Sequence, residues 1–165
     1  HAPTRGLMGY TSRFLTLTKG TGVINRIFHG YGKFEGEMDG RKNGALISMA
    51  NGKAVAFAIF NLQARGEMFV THNDPVYEGM IVGLAPKPGD MIINVMKGKQ
   101  LTNMRTQGTD ENVVLTPVRQ MSIAEQLSML NTDEALEITP KSLRLRKAIL
   151  NPNDRKKNEK SGTPL

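Results

Sequence analysis

From about Gly36 onward the sequence breaks into short runs of β-type residues, GALISM, AVAFAIF, EMFVTH, GMIVGL, MIINVM and NVVLTP, separated by glycine, proline and asparagine. Branched and aromatic side chains suit a pleated, half-buried surface, and short runs between turn residues leave little room for long helices. This part of the chain is therefore expected to be mostly β. Asn51-Gly52, Asp74-Pro75 and Pro88-Gly89-Asp90 stand where the chain must reverse. Asn61 is expected to cap one helical turn over 62–65. Ser122, with Glu125 three residues on, is expected to cap a helix over IAEQLSML. A last helix is expected from Pro140, capped by Thr139 and carrying SLRLRKAIL. Beyond Asn151 the chain is polar and poor in apolar residues, and is expected to be frayed or disordered without a partner.

Before Gly36 the texture differs. Leu7, Tyr10, Phe14 and Leu17 recur at spacings of three and four, a helical stripe that Lys19-Gly20-Thr21-Gly22 ends, and VINRIF then reads as a strand. One helix and one strand cannot bury both their faces, so their partner strands are expected to lie before residue 1. The fold class that follows is α+β. A truncated α/β half-domain over 1–34 precedes a mostly β, barrel-like domain with peripheral helices over 35–150, and a basic tail follows over 151–165.

The formal charge of +7 favours a polyanionic partner. Much of the excess lies from Lys141 onward, where eight basic residues face two acidic ones. The longest apolar stretch, 54–60, is far too short to span a membrane, so no membrane partner is expected. Cysteine is absent, which excludes disulfides, thiolate metal sites and cysteine nucleophiles and fits a cytoplasmic location.

Little of the sequence suggests chemistry. A nucleotide-hydrolysing phosphate loop ends in Gly-Lys followed by Ser or Thr, because the hydroxyl holds magnesium. Gly52-Lys53 is followed by Ala54 and Gly98-Lys99 by Gln100, so both read as turns. His1, His29 and His72 are isolated and lack ligand spacing, which makes a metal site improbable. His72 beside Asn73 and Asp74 reads as a solvated loop residue before it reads as an acid or base. Partial burial or an RNA contact suits His29. Phe28, Tyr31 and Phe34 are expected to close a core, with base stacking as the alternative. Met8, Met49, Met68, Met80, Met91 and Met96 also read as core.

Two basic features remain. The stretch 97–111 offers Lys97, Lys99 and Arg105 with Gln100, Asn103 and Gln107, a mixture of phosphate-seeking charges and amides on a long connection. The segment KSLRLRK sets Lys141, Arg144, Arg146 and Lys147 around Leu143 and Leu145, and the tail adds Lys156, Lys157 and Lys160. A solvated helix face is the plain reading of the first group and RNA contact the sharper one.

Over TRGLMGYTSRFLTLTKGTGVINRIFHGYGKFEGE, GRKNGALISMANGKAVAFAIFNLQARGEMFV, VYEGMIVG, NVMKGKQLTNMRTQGTDE and LEITPKSLRLRK the chain resembles the TypA/BipA family of translational GTPases, relatives of elongation factor G. The resemblance implies a parent of five domains, with GTP and magnesium held by an N-terminal domain and no cofactor or enzyme activity in this piece. It implies ribosome docking, with roles in stress adaptation and large-subunit assembly. It also implies that the C-terminal domain lies near large-subunit rRNA and the tRNA acceptor arm, with Lys97, Lys99, Asn103 and Arg105 on a loop reaching toward the peptidyl-transferase region. The other partners it implies are the N-terminal domains of the same parent chain. A module binding acidic ribosomal or regulatory proteins is the alternative.

Overall fold

The computed structural model describes residues 1–34, 36, 41–98 and 114–161. Its first elements are a 3-10 turn, Thr4–Leu7, and helix α1, Tyr10–Leu17. Lys19 and Gly20, both with positive φ, end α1, and the Gly20 amide donates to Leu15 O at 2.7 Å. This is the left-handed helix stop expected from Lys-Gly. Among the described residues no further regular element precedes β1.

The centre of the fold is a four-stranded sheet in the order β3-β5-β1-β6. Strand β1, Ala45–Ser48, pairs antiparallel with β5, Ile81–Leu84, and parallel with β6, Met91–Ile93, while β3, Glu67–Met68, flanks β5. Every residue of β1 and β5 is buried. Their continuous apolar runs fit strands covered on both faces. On one face Leu46 and Val82 meet Ile59 of helix α2, Ala56–Gln63, together with Val76 and Val95. A small ladder, β2 (Gly52–Lys53) with β4 (Pro75–Val76), closes that side. On the other face Ala45, Ile47 and Ile81 meet Leu136 and Leu145 of a hairpin, β7 (Glu134–Ile138) with β8 (Leu143–Lys147). Helix α3, Ile123–Ser128, precedes that hairpin and α4, Pro152–Ser161, follows it. Gly44 is required where β1 begins, because a Cβ there would collide with the carbonyl of Gly89.

The structure is α+β, as expected, and no described sheet closes into a barrel. GALISM, EMFVTH, GMIVGL and MIINVM each supply a strand. Other segments depart from the sequence reading. AVAFAIF is helix α2, not a strand: Val55, Ala58, Ile59 and Leu62 fall at helical spacing, and Ala58 and Ile59 are buried. Asn61 sits inside α2, donating to Phe57 O at 2.9 Å, instead of capping a turn. SLRLRKAIL is strand β8, not a helix, and Thr139 joins Ser142 across the β7–β8 turn. The described part of the tail forms α4 instead of fraying at Asn151. Asn151 Oδ1 accepts from Asn153 N–H at 2.9 Å, and Pro152 occupies the first helical position.

VINRIF forms no strand and Ile27 is exposed, and Phe28, Tyr31 and Phe34 are exposed instead of closing a core. Phe28 meets Tyr31 edge-on, and Arg5 lies over Phe34. His29 is exposed as well, beside the ring of His1. Of the methionines expected inside, Met68 and Met80 are buried and Met96 partly so, whereas Met8, Met49 and Met91 are exposed. Of NVVLTP, Asn112 and Val113 lie outside the described residues, and the remainder is irregular with Leu115 packed on the core.

Candidate nucleic-acid interface

Strand alternation decides the fate of the basic residues on β8. Leu145 and Lys147 point to the core, while Arg144 and Arg146 take the other face. Lys147 is therefore withdrawn from solvent: its side chain is 2% exposed, and Nζ lies 2.5 Å from Asp90 Oδ2, 2.6 Å from Asp133 Oδ2 and 3.0 Å from Glu134 Oε1. Glu134, wholly buried, also takes both terminal nitrogens of Arg41, at 2.7 and 3.1 Å, and the Asn131 N–H at 3.1 Å. A buried charge survives only when paired and hydrogen-bonded, and here five charged side chains from four chain segments satisfy one another.

The protonation equilibria follow. Burial alone would lower the Lys147 ammonium, but hydrogen bonds to Asp133 and Asp90 and the Glu134 charge outweigh it and hold the group above its ordinary 10.5. Burial would raise the Asp90 carboxyl, yet the hydrogen bonds from Lys147 and from Ala45 N–H, at 2.7 Å, bring it below its ordinary 3.8.

Arg144 donates to Glu137 Oε1 at 3.1 Å, and Tyr77 donates its hydroxyl to Glu137 Oε2 at 2.5 Å. Burial and this carboxylate push the Tyr77 hydroxyl up to about 12. Arg146 donates to the carbonyls of Lys147 and Ala148, at 3.1 and 3.3 Å, and so holds the end of its own strand. Both arginines are half-buried.

The remaining described candidates face solvent. Lys141 sits exposed in the β7–β8 turn with no ion pair among the described residues. Lys156 and Lys157 are exposed on α4, where Lys157 makes a surface pair with Asp154 at 3.4 Å. Lys97 is exposed beyond buried Val95. Lys99, Asn103 and Arg105 lie outside the described residues. The chain on both sides of that stretch is held by α2: Val55 N–H donates to Val95 O at 2.9 Å, and the Gln63 amide exchanges two hydrogen bonds with the Thr116 backbone, at 2.9 and 3.1 Å.

A cleft of about 740 Å³ opens between the hairpin turn, the β3–β5 side of the sheet and the segment leading into α3. Phe69, Leu143 and Leu145 give it an apolar lining, and Arg119, Lys141 and Arg144 bring cations to it. Arg119 is already paired with Glu125, at 3.1 Å, and lies 4.0 Å from Glu67. Glu125 in turn completes the capping box expected at Ser122. Gln126, 7% exposed, also lines the cleft, and its Oε1 has no partner among the described residues. The structure thus brings Lys141 and Arg144 together and removes Lys147 from them. Arg119 and Gln126 escaped the sequence reading: Arg119 carried a signal in its proximity to the capping-box glutamate, Gln126 none.

His72 makes one hydrogen bond, its Nδ1 accepting from Ala56 N–H at 3.2 Å, and so caps α2 from a neighbouring loop. No group of three or more histidine, aspartate or glutamate side chains among the described residues is arranged to hold a metal, and no described helix is long and apolar enough to cross a membrane.

Comparison with known proteins matches residues 43–152 to the family described as the TypA/BipA C-terminal domain. Over 163 residues the chain is 47% identical to the "Large ribosomal subunit assembly factor BipA" of Buchnera aphidicola, covering 98% of this chain and 27% of that relative. The protein of the same name from Salmonella typhimurium is 47% identical over 94% of this chain and 26% of its own length, and that of Haemophilus influenzae 43% over 98% and 26%. The chain spans about a quarter of the length of the curated relatives it matches.

Proposed function

Because the chain belongs to the TypA/BipA C-terminal-domain family, we propose that it is the ribosome- and RNA-binding portion of a translational GTPase, positioning that factor against large-subunit rRNA and tRNA. GTP and magnesium chemistry then falls to the part of the parent protein that this chain does not include. The relatives' name, large ribosomal subunit assembly factor, supports a role at the ribosome.

The observation that carries the reading is a division among the cations. Lys147 and Arg41 are spent inside the fold, whereas Lys97, Lys141, Lys156 and Lys157 stand exposed around it. Exposed lysines and arginines fix register on RNA by contacting phosphates, without reading sequence.

Pelleting of the purified chain with ribosomes over a range of salt concentrations tests this. Each phosphate contact contributes a log-log slope of roughly 0.7 to 0.9, so replacing Lys97, Lys99 and Arg105 together with alanine should flatten the slope by about two to three units. The fold should remain intact, which circular dichroism of the triple variant checks. Replacing Lys156 and Lys157 should weaken binding without moving the footprint. Unchanged slope and footprint in the triple variant would remove those residues from the interface. Binding that follows acidic ribosomal proteins instead of RNA would replace the reading with a protein-interaction module.

A further inference from the structure

The first 34 residues combine uncompensated cations with uncovered rings. Arg5, Arg13, Lys19, Arg26 and Lys33 are all exposed, and the first carboxylates of the chain, Glu35, Glu37 and Asp39, come only after Phe34. No ion pair among the described residues engages any of the five cations. Phe28, Tyr31 and Phe34 stand at intervals of three residues and are 74%, 99% and 71% exposed. Large rings are seldom left open to water in succession, and such a patch marks a contact surface. Other contacts lay this stretch along the start of the chain. Arg26 donates to Leu7 O and to Thr11 Oγ1, the His29 ring stands 4.0 Å from that of His1, and the Arg5 guanidinium lies 4.7 Å from the centre of the Phe34 ring. Arg26 thus keeps its charge, since both its acceptors are neutral. Strands pairing beside 23–28 would take up backbone groups at its edges, and Tyr31 and Phe34 lie past that run.

We infer that residues 1–34 bind single-stranded RNA: unpaired bases stack on Phe28, Tyr31 and Phe34, and the phosphates between them meet Arg5, Arg26 and Lys33. Positive charge that follows the backbone, with rings on which successive bases lie, is how single strands are held without regard to sequence, because every base has a flat face. A lipid surface asks instead for an amphipathic helix, and 23–34 has no regular structure. This is a second RNA-facing surface, apart from the lysines at 97, 141, 156 and 157.

The 165-residue chain titrated into fluorescein-labelled octauridylate, followed by anisotropy, tests it. Binding should tighten as salt falls, by a log-log slope of about 0.7 per phosphate contact, and Lys33→Ala should lower the slope by one such step. Tyr31→Ala should weaken binding about tenfold, Tyr31→Leu nearly as much, and Tyr31→Phe by less than about twofold, because the ring face carries the contact and apolar bulk does not. Tyr31 is exposed, so its replacement leaves no cavity, and circular dichroism checks that each variant keeps the parent's fold. A Tyr31 variant that fails this check leaves Phe28→Leu and Phe34→Leu to decide, each with the same expected loss. Parent-like affinity in Tyr31→Ala, or an RNA duplex bound as tightly as octauridylate, would reduce the surface to bare positive charge and overturn the inference. Dimerisation through Tyr31, seen by sedimentation, or a preference for phosphatidylglycerol vesicles would assign the rings to another occupant and overturn it too. Ribosome pelleting without octauridylate binding defeats this inference and spares the wider reading. Octauridylate binding that depends on Tyr31, without ribosome pelleting, upholds the inference and defeats the wider reading.

Discussion

Lys141 and Lys147 belong to one hairpin, yet the first is solvated in its turn and the second lies among three carboxylates. Their alanine variants should separate accordingly. Lys147→Ala leaves Asp90, Asp133 and buried Glu134 with Arg41 as the remaining cation, and removing one partner of a buried pair costs about 3 kcal/mol or more. Urea unfolding should show that loss, while Lys141→Ala stays within about 0.5 kcal/mol of the parent. The network also sets a pH dependence. The folded-state pKa of Asp90 is depressed, so its contribution is fully present above 3.8 and is lost as the pH falls below that value through the folded pKa. The Lys147 contribution runs the other way: it is present below 10.5 and lost as the pH rises through the elevated folded value. Melting temperatures followed down from about pH 5 should therefore drop less steeply for Asp90→Asn than for the parent. An identical acid limb would show that Asp90 does not contribute to it.

At the level of elements, capping chemistry was readable where it was local. Ser122 and Glu125 form the reciprocal box their spacing implied, and Glu125 also receives Arg119. Ser122→Ala should cost about 1 kcal/mol, measurable by denaturant unfolding, as for other N-cap losses. The same rule applied to Thr139-Pro140 failed, because Leu143-Arg144-Leu145-Arg146 alternates with period two and belongs to a strand. One step along the chain, Asn151-Pro152 is the pair that does start a helix, α4. The error at α2 was the converse. Its apolar run looked β-like, but its alanines favour helix, and buried Ala58 and Ile59 stand at helical spacing from half-buried Val55 and Leu62. Its N-terminal cap was beyond the reach of local reading, since His72 supplies it from another loop.

For the whole molecule, both core clusters are built from residues after Arg41, and none of their members lies in 1–34. The first segment instead exposes Ile27, Phe28 and Tyr31, and Gly9 lies against Ser128 and Ala124 of α3. Deleting residues 1–34 should leave a single cooperative unfolding transition with little change in midpoint, because the buried apolar surface that drives folding is untouched. Loss of cooperativity, followed by circular dichroism on heating, would place part of the folding unit before Arg41.

The sequence by itself determined the α+β class, four of the strands of the main body, the capping of α3 and the family, since these rest on local spacing, turn residues and ordered motifs spread along nearly the whole chain. It also marked the basic segments. Only the tertiary structure decided which of those cations remain free. Lys147 meets Asp90 and Asp133 because β8 is sandwiched against β1 and β5, and Arg41 meets Glu134 across 93 residues of chain. Charge is written in the sequence one residue at a time. Pairing depends on which strands lie side by side, and burial on what covers them, so the same lysine side chain serves the core at 147 and is left to solvent at 141.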